Sequence, residues 1–211
     1  MYITVKKLSP GLLNDFLHFF DHVAFADHEE WSGCYCVEPH LCEKAGPELP
    51  KGVRSKCREY AIEFIKSGKL QGYLAYAAGG PSVDIPLENN RNAGDEVVGW
   101  CNANDKRNYE KVAAIGDFWT DGDLAKRIKS IVCFAVAANV RQRGVATALL
   151  KRVCDDALAE GYEAVEAYPY CGARNAFFEF AGPVAMYERQ GFAVLRASTE
   201  MEKVLIMRKN L

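Results

Sequence analysis

The chain has 211 residues, with 26 Lys or Arg, 28 Asp or Glu and a formal net charge of −2. A composition that is 49% hydrophobic and 26% charged supports a sizeable core and excludes a disordered chain. The near-neutral balance gives no basic face for nucleic acid, and no apolar run reaches the roughly 18 residues that span a bilayer, so neither is an expected partner.

A chain of this length fits a single domain over 1–211. The opening MYITVKKLSP has no long apolar core and no small-residue cleavage site, so it does not read as a signal peptide. Eight cysteines without an export signal then imply free thiols and a cytoplasmic setting. All four histidines (His18, His22, His28 and His40) fall in the first forty residues. A histidine base from the second half of the chain is therefore excluded.

In chain order, YITVKKL alternates as a strand does. Ser9 and Pro10 then open a helix, with Leu12, Leu13, Phe16, Leu17, Phe20 and Val23 at helical spacing. Residues 27–52 are polar, aperiodic and rich in Gly, Pro and Cys, and are expected to form an ordered loop. A second amphipathic helix is expected over 53–66, presenting Cys57, Tyr60, Ala61, Phe64 and Ile65. Strands follow at 71–78 and 96–103, with a turn-rich stretch over 79–95 that reads as a flexible hairpin insertion. The run 104–127 is mixed, with a short helix near 109–114. SIVCFAVA, at 130–137, is apolar on both faces and suits a central strand. After it, Val145, Leu149, Val153 and Ala157 stack on a helix, as do Ala146, Leu150, Cys154 and Leu158. A strand at 163–168, a short helix at 183–190 and strands at 192–197 and 203–208 complete a mixed α/β chain.

The most informative segment is VAANVRQRGVATALL, residues 136–150. It joins the buried strand to a helix through Arg141, Gln142, Arg143, Gly144, Val145, Ala146 and Thr147. A helix start leaves backbone N–H groups unpaired and concentrates positive potential there. Small residues at 144 and 146 admit a bulky anion, and Arg141 and Arg143 add charge. This is a cradle suited to a pyrophosphate, without the spacing of a Walker loop. The plainer alternative is an ordinary strand-to-helix turn with surface arginines.

On this segment the sequence resembles the GNAT acyl-CoA N-acetyltransferases. Their cofactor motif, Arg or Gln-x-x-Gly-x-Gly or Ala, is matched by Arg141, Gly144 and Ala146, with Val136 five residues upstream. A second match is Met186-Tyr187-Glu188-Arg189-Gln190-Gly191-Phe192. The resemblance implies a central mixed sheet of about six to seven strands, flanked by helices and splayed between the fourth and fifth strands. Acetyl-CoA is the implied co-substrate, with pantetheine against strand-four backbone around Phe134 and Val136. The N–H of Val136 is implied as an oxyanion donor, and the backbone of 142–147 as the pyrophosphate clamp. Tyr187 stands at the family's general acid, positioned to protonate the departing thiolate. An asparagine common in the family seven residues earlier is replaced by Phe180, so its contacts do not transfer.

An amine with a pKa near ~10.4 must lose a proton before it attacks. Glu166, within VEAY on the fifth strand, is the first candidate base, and Asp117 the second. Glu166 reads equally as a satisfied buried carboxylate. Cys34, Cys36, His40 and Cys42, with His18 and His22, raise a zinc site as an alternative. Their spacing matches no common zinc module, so no metal is expected. The segment instead reads as an acceptor-side wall with small thiols packed inside. Trp31, Tyr35, Trp100 and Trp119 either face an ammonium by cation–π attraction or serve as core. An acyl-cysteine relay at Cys133 is discounted, since a buried thiol is commonly a small hydrophobe. The expected activity is acetyl transfer to an amine of a small molecule or peptide, with a homodimer plausible. The competing functions are a non-catalytic acyl-CoA sensor and a metal-binding protein built on 18–42.

Overall fold

A computed structural model describes residues 1–41, 54–78, 95–110, 112, 116–120, 122–172 and 180–211. Its strands are β1 (Ile3–Lys7), β2 (Gly72–Ala78), β3 (Asp95–Asp105), β4 (Ile128–Val136), β5 (Ala164–Ala167), β6 (Ala193–Ala197) and β7 (Leu205–Asn210). Its α-helices are α1 (Leu13–His18), α2 (Arg54–Ser67), α3 (Val145–Ala159) and α4 (Val184–Arg189). The strands form one seven-stranded sheet in the order β1-β2-β3-β4-β5-β7-β6. All neighbours are antiparallel except β4 and β5, which are parallel and joined through α3. This is the expected mixed α/β architecture, and every expected strand is present.

The first helix differs from its expectation. Pro10–Leu12 is a 3₁₀ turn, Leu13–His18 is α-helical and Phe19–Val23 widens to a π turn. The wider turn brings consecutive Phe19 and Phe20 inward, and both are buried. The 27–41 part of the expected loop holds two 3₁₀ turns, Glu29–Trp31 and Glu38–His40. The insertion over 79–94 lies outside the described residues, as do 111, 113 and 114 of the expected 109–114 helix and Cys42.

Two consecutive residues of β3 show which layer covers which face, because successive side chains point oppositely. A Cβ placed on Gly99 would lie 2.6 Å from Val145 Cγ1 and 3.3 Å from Leu149 Cδ1, so α3 packs directly on that face. The indole of Trp100 meets Phe16 edge-on at 5.0 Å and Phe20 at 6.3 Å on the other face. Val145, Leu149, Leu150, Val153, Cys154 and Ala157 are the buried stripe of α3. Leu158, read as part of that stripe, is 61% exposed. A second, smaller apolar cluster joins Tyr109, Val112, Phe118, Val204 and Ile206, with Trp119 and Tyr168 packed against it.

Candidate functional site: the open edge of β4 and the start of α3

β4 pairs with β5 only from Ile128↔Ala164 to Ile131↔Ala167. Beyond Ile131 the two strands diverge, while β4 stays paired to β3 as far as Gly99↔Val136. The Ala137 N–H donates to the Val98 carbonyl at 3.0 Å. By the alternation of an antiparallel ladder, Phe134 and Val136 therefore turn their N–H groups the other way, to the edge that β5 has left. Val132 falls at a register shift, and Val132, Cys133 and Val136 are half-buried there.

The chain then turns through Ala138–Val140 into α3. Gln142 and Gly144 lie at positive φ, 62° and 87°, and Gly144 caps the helix. Ala148 is the first residue whose N–H bonds within the helical turn, to the Gly144 carbonyl at 2.9 Å. The N–H groups of Val145, Ala146 and Thr147 precede it and have no intrahelical acceptor. A Cβ on Gly144 would meet nothing within 4 Å, so the space before the turn is open. A fifteen-residue helix adds positive potential at this point.

The arginines divide. Arg143 is exposed. Arg141 does not lend its charge to the turn. Its Nε donates to the Val136 carbonyl at 3.1 Å, and its two Nη atoms grip Asp27. Hydrogen bonds from Arg141, against a small burial cost, hold the Asp27 carboxyl below its ordinary range. Arg141 is thus a strut from the end of β4 to the segment after the first helix.

Tyr187, on α4, is fully buried beside Phe134, with ring centroids 6.5 Å apart, and edge-on to Phe192 at 5.3 Å. Its hydroxyl donates to the Ala181 carbonyl at 2.6 Å. Burial raises its pKa well above the ordinary phenol value, so the hydroxyl keeps its proton.

Glu166, the first candidate for the general base, lies inside a buried charge cluster. Its carboxylate has no exposure and receives Lys106 Nζ at 2.7 Å, Arg208 Nε at 2.7 Å and the Tyr168 hydroxyl at 3.2 Å. Asp123 completes the group, 3.2 Å from Lys106 Nζ and 2.7 Å from Arg208 Nη2. Two carboxylates and two cations neutralise one another out of water, which leaves no free lone pair facing the cleft. Burial raises the Asp123 carboxyl, but hydrogen bonds from Thr120 and Arg208 and the Lys106 charge bring it far below its ordinary value. Asp117 fares no better as a base. It accepts from the Ser198 and Thr199 hydroxyls and the backbone of Thr199 and Glu200, and those bonds outweigh burial and lower its pKa.

The four aromatic candidates do not form one wall. Tyr35 and Trp100 have no exposure and belong to the main core. Trp31 is half-buried and stacks on His28 at 4.1 Å. Trp119 does meet an ammonium, but it is the chain's own Lys106, 4.5 Å from the ring centroid. Among the described residues no group of three or more His, Cys, Asp or Glu is arranged to hold a metal ion. His40 is buried, and burial lowers its pKa to about 4.

Sequence reading missed Lys106, Asp123 and Arg208, since DKRNYE, TDGDLAKR and MRKN look like solvated charge runs. The only signal was Glu166 itself, an acid in a buried strand that needs a cation. Two surface depressions, of about 420 and 340 Å³, share Ser67 and Gly68 at the end of α2 and are lined by no residue of the β4 edge.

A splayed β4–β5 pair followed by an anion-ready helix start is the geometry expected from the sequence motif, and residues 76–192 match the model of the acetyltransferase (GNAT) family. The chain belongs to the GNAT acetyltransferase family. Its fold is similar to that of a mosquito arylalkylamine N-acetyltransferase-like protein, at TM-score 0.53 and 11% identity, covering 100% of both chains. It is also similar to a Drosophila melanogaster polyamine N-acetyltransferase that forms N-acetylagmatine, at TM-score 0.54 and 11% identity over 100% of both chains. The PaiA N-acetyltransferase of Thermoplasma acidophilum, in complex with coenzyme A, matches at TM-score 0.54 and 12% identity over 100% of both chains. No curated protein matches the chain. Among the described residues no helix of this GNAT chain is long and apolar enough to cross a membrane.

Proposed function

We propose that this GNAT chain transfers the acetyl group of acetyl-CoA to the amine of a small molecule or peptide, by direct attack on the thioester. The observation that carries the reading is the unpaired edge of β4 at Phe134 and Val136, beside the start of α3. An extended amide such as pantetheine satisfies a strand edge, and a pyrophosphate satisfies a helix start. The N–H groups of Gln142, Gly144, Val145, Ala146 and Thr147 hold the phosphates, with Arg143 contributing charge from the surface. The Val136 N–H polarises the thioester carbonyl and stabilises the oxyanion of the tetrahedral intermediate. Arg141 fixes the peptide unit after that donor through the Val136 carbonyl.

Tyr187 gives its proton to the thiolate as the intermediate collapses. Its burial keeps the phenol protonated until then, and the proton leaves its bond to Ala181 for the sulfur. Glu166 and Asp117 take no part in deprotonating the amine. The arylalkylamine and polyamine enzymes that share this fold are the reason to begin with small amines. Seven described cysteines are free thiols, which suits a cytoplasmic protein.

Calorimetric titration with acetyl-CoA tests the cradle, and release of free CoA thiol over a panel of amines tests the transfer. Gly144→Glu sets a side chain and a like charge before the helix start. Like-charge contacts cost several kcal/mol, so acetyl-CoA affinity falls by about 100-fold or more in a folded variant. Unchanged affinity in that variant overturns the reading.

A further inference from the structure

Acetyl transfer needs a base for the incoming ammonium, and Glu166 and Asp117 are both engaged elsewhere. A titratable group does stand at the open end of β4. In an antiparallel ladder the carbonyl and N–H of one residue point to the same edge. Arg141, whose Nε donates to the Val136 carbonyl at 3.1 Å, therefore stands on the edge that β5 has left. From there its two Nη atoms hold Asp27, with Nη2 donating to Oδ1 at 3.0 Å. The next residue is His28, whose Nε2 lies 3.9 Å from Asp27 Oδ2. Two side chains thus span from Val136 to an imidazole.

The imidazole is held in one orientation. Its ring stacks on Trp31 at 4.1 Å, with 18° between the planes. Nδ1 lies 3.1 Å from Glu30 Oε1. An ionised carboxylate only accepts, so Nδ1 carries the ring proton and donates it there. The neutral ring then keeps its lone pair on Nε2. Asp27 is too far from Nε2 for a hydrogen bond, and it is spent on Arg141. The backbone fixes the same turn. The His28 N–H donates to the Phe25 carbonyl and the Trp31 N–H to the His28 carbonyl, both at 3.0 Å. The His28 side chain is 35% exposed, so a solute can reach it.

We propose that His28 is the general base of acetyl transfer, taking a proton from the substrate ammonium at Nε2, with Glu30 and Trp31 as its positioning residues. The inference rests on the acetyltransferase reading above. The ammonium gives one proton to Nε2 and becomes a free amine, while Glu30 and Asp27 face the imidazolium that forms. The amine lone pair forms a C–N bond to the thioester carbon, and the carbonyl electron pair moves onto the oxygen beside the Val136 N–H. Collapse restores the carbonyl and breaks the C–S bond, and the sulfur takes the Tyr187 proton. The proton that the acetylated nitrogen then sheds replaces the one Tyr187 gave up. His28 releases its own to solvent, so one proton appears in solution for each acetyl group moved.

The test measures release of CoA thiol with putrescine, agmatine and phenylethylamine as acceptors, and acetyl-CoA affinity by calorimetry, in the full-length chain and its variants. His28→Gln should lower turnover by about 100-fold or more while acetyl-CoA affinity holds. His28→Ala should fall as far and recover by about tenfold when free imidazole is added, because a diffusible base fills the space beside Trp31. Glu30→Gln should lose less and gain nothing from imidazole, since its partner ring is still present. Wild-type turnover in His28→Gln overturns the assignment, as does a loss in His28→Ala that imidazole leaves untouched. So does a fall of acetyl-CoA affinity in step with turnover, which places His28 in cofactor binding. A wild-type chain that binds acetyl-CoA and acetylates none of the three amines removes the enzyme reading, and the base with it.

Discussion

At its amino-terminal end β4 is paired on both edges, to β3 and to β5, and is surrounded by buried charge. Lys129 is itself 1% exposed and reaches Glu160 at 3.4 Å, while Glu166 of β5 sits opposite Ser130 among Lys106, Arg208 and Asp123. At its carboxy-terminal end the same strand keeps one partner, and its free edge runs into a helix start. The difference teaches how the chain makes a cleft in a continuous sheet. Charge that has no other partner holds β4, β5 and β7 together up to Ile131, and apolar residues without such ties let them part beyond it. Here the acidic side chains Glu166 and Asp123 pair with Lys106 and Arg208 at the end of the sheet where β4 and β5 remain joined.

The largest effect should come from breaking the fastened end. Glu166→Ala leaves Lys106 and Arg208 sharing Asp123 alone, a buried positive charge without compensation. Removal of one partner from such a group costs about 3–5 kcal/mol, read as a shift of the urea midpoint. A general base would instead lose turnover at unchanged stability, so the two roles separate cleanly. Tyr187→Phe tests the open end. Turnover should fall by about 10²–10⁴-fold while acetyl-CoA affinity holds, because the ring and its packing remain. Equal loss of affinity and turnover would place the hydroxyl in cofactor binding or in the Ala181 hydrogen bond.

A third prediction concerns pH and the first-helix side of the sheet. His40 is buried against Tyr109 at 4.9 Å and Phe64 at 6.2 Å, and burial lowers its pKa to about 4. The unfolded chain binds that proton more readily, near pH ~6.5. Stability is therefore complete above about pH 6.5 and falls as pH drops toward 4, by roughly 2 kcal/mol at pH 5. Urea unfolding at pH 7 and pH 5 measures the slope. His40→Phe should flatten it, whatever its absolute stability. A slope unchanged in that variant would assign the acid sensitivity to carboxylates.

Local periodicity made much of this molecule legible before any coordinates. SIVCFAVA announced a strand covered on both faces, and the 145–157 stripe announced its helix. The turn at 141–147 was legible because the role proposed for it is carried by backbone, which side chains report only through their smallness. Direction was not legible. Nothing in the sequence says that Arg141 turns back to Val136 and Asp27, nor that Lys106, Asp123, Glu166 and Arg208 converge from four separate segments. An aromatic residue in a polar loop was equally mute, since Tyr35 fills core by long-range packing that periodicity does not encode. The π turn at Phe19–Val23 is likewise a tertiary effect, forced by two adjacent phenylalanines that both need burial.

The smallest effect offers the sharpest comparison, because each end of β4 has a glycine of the same kind. Gly122, before Asp123, has φ 83°, and Gly144, before α3, has φ 87°. A Cβ would meet nothing within 4 Å at either. Alanine at each position therefore costs only the left-handed backbone, about 1–2 kcal/mol, with no packing loss to confuse the measurement. The two variants should lose the same stability. They should differ in ligand binding, because Gly122 borders the ion cluster and Gly144 borders the open space before the unpaired N–H groups. Gly144→Ala should weaken acetyl-CoA by about tenfold, as the methyl crowds an anion seated on that turn, while Gly122→Ala leaves affinity unchanged. If both variants lose affinity alike, the loss tracks stability and the turn has no special claim. If neither does, the phosphates lie elsewhere and the cradle must be sought off the start of α3.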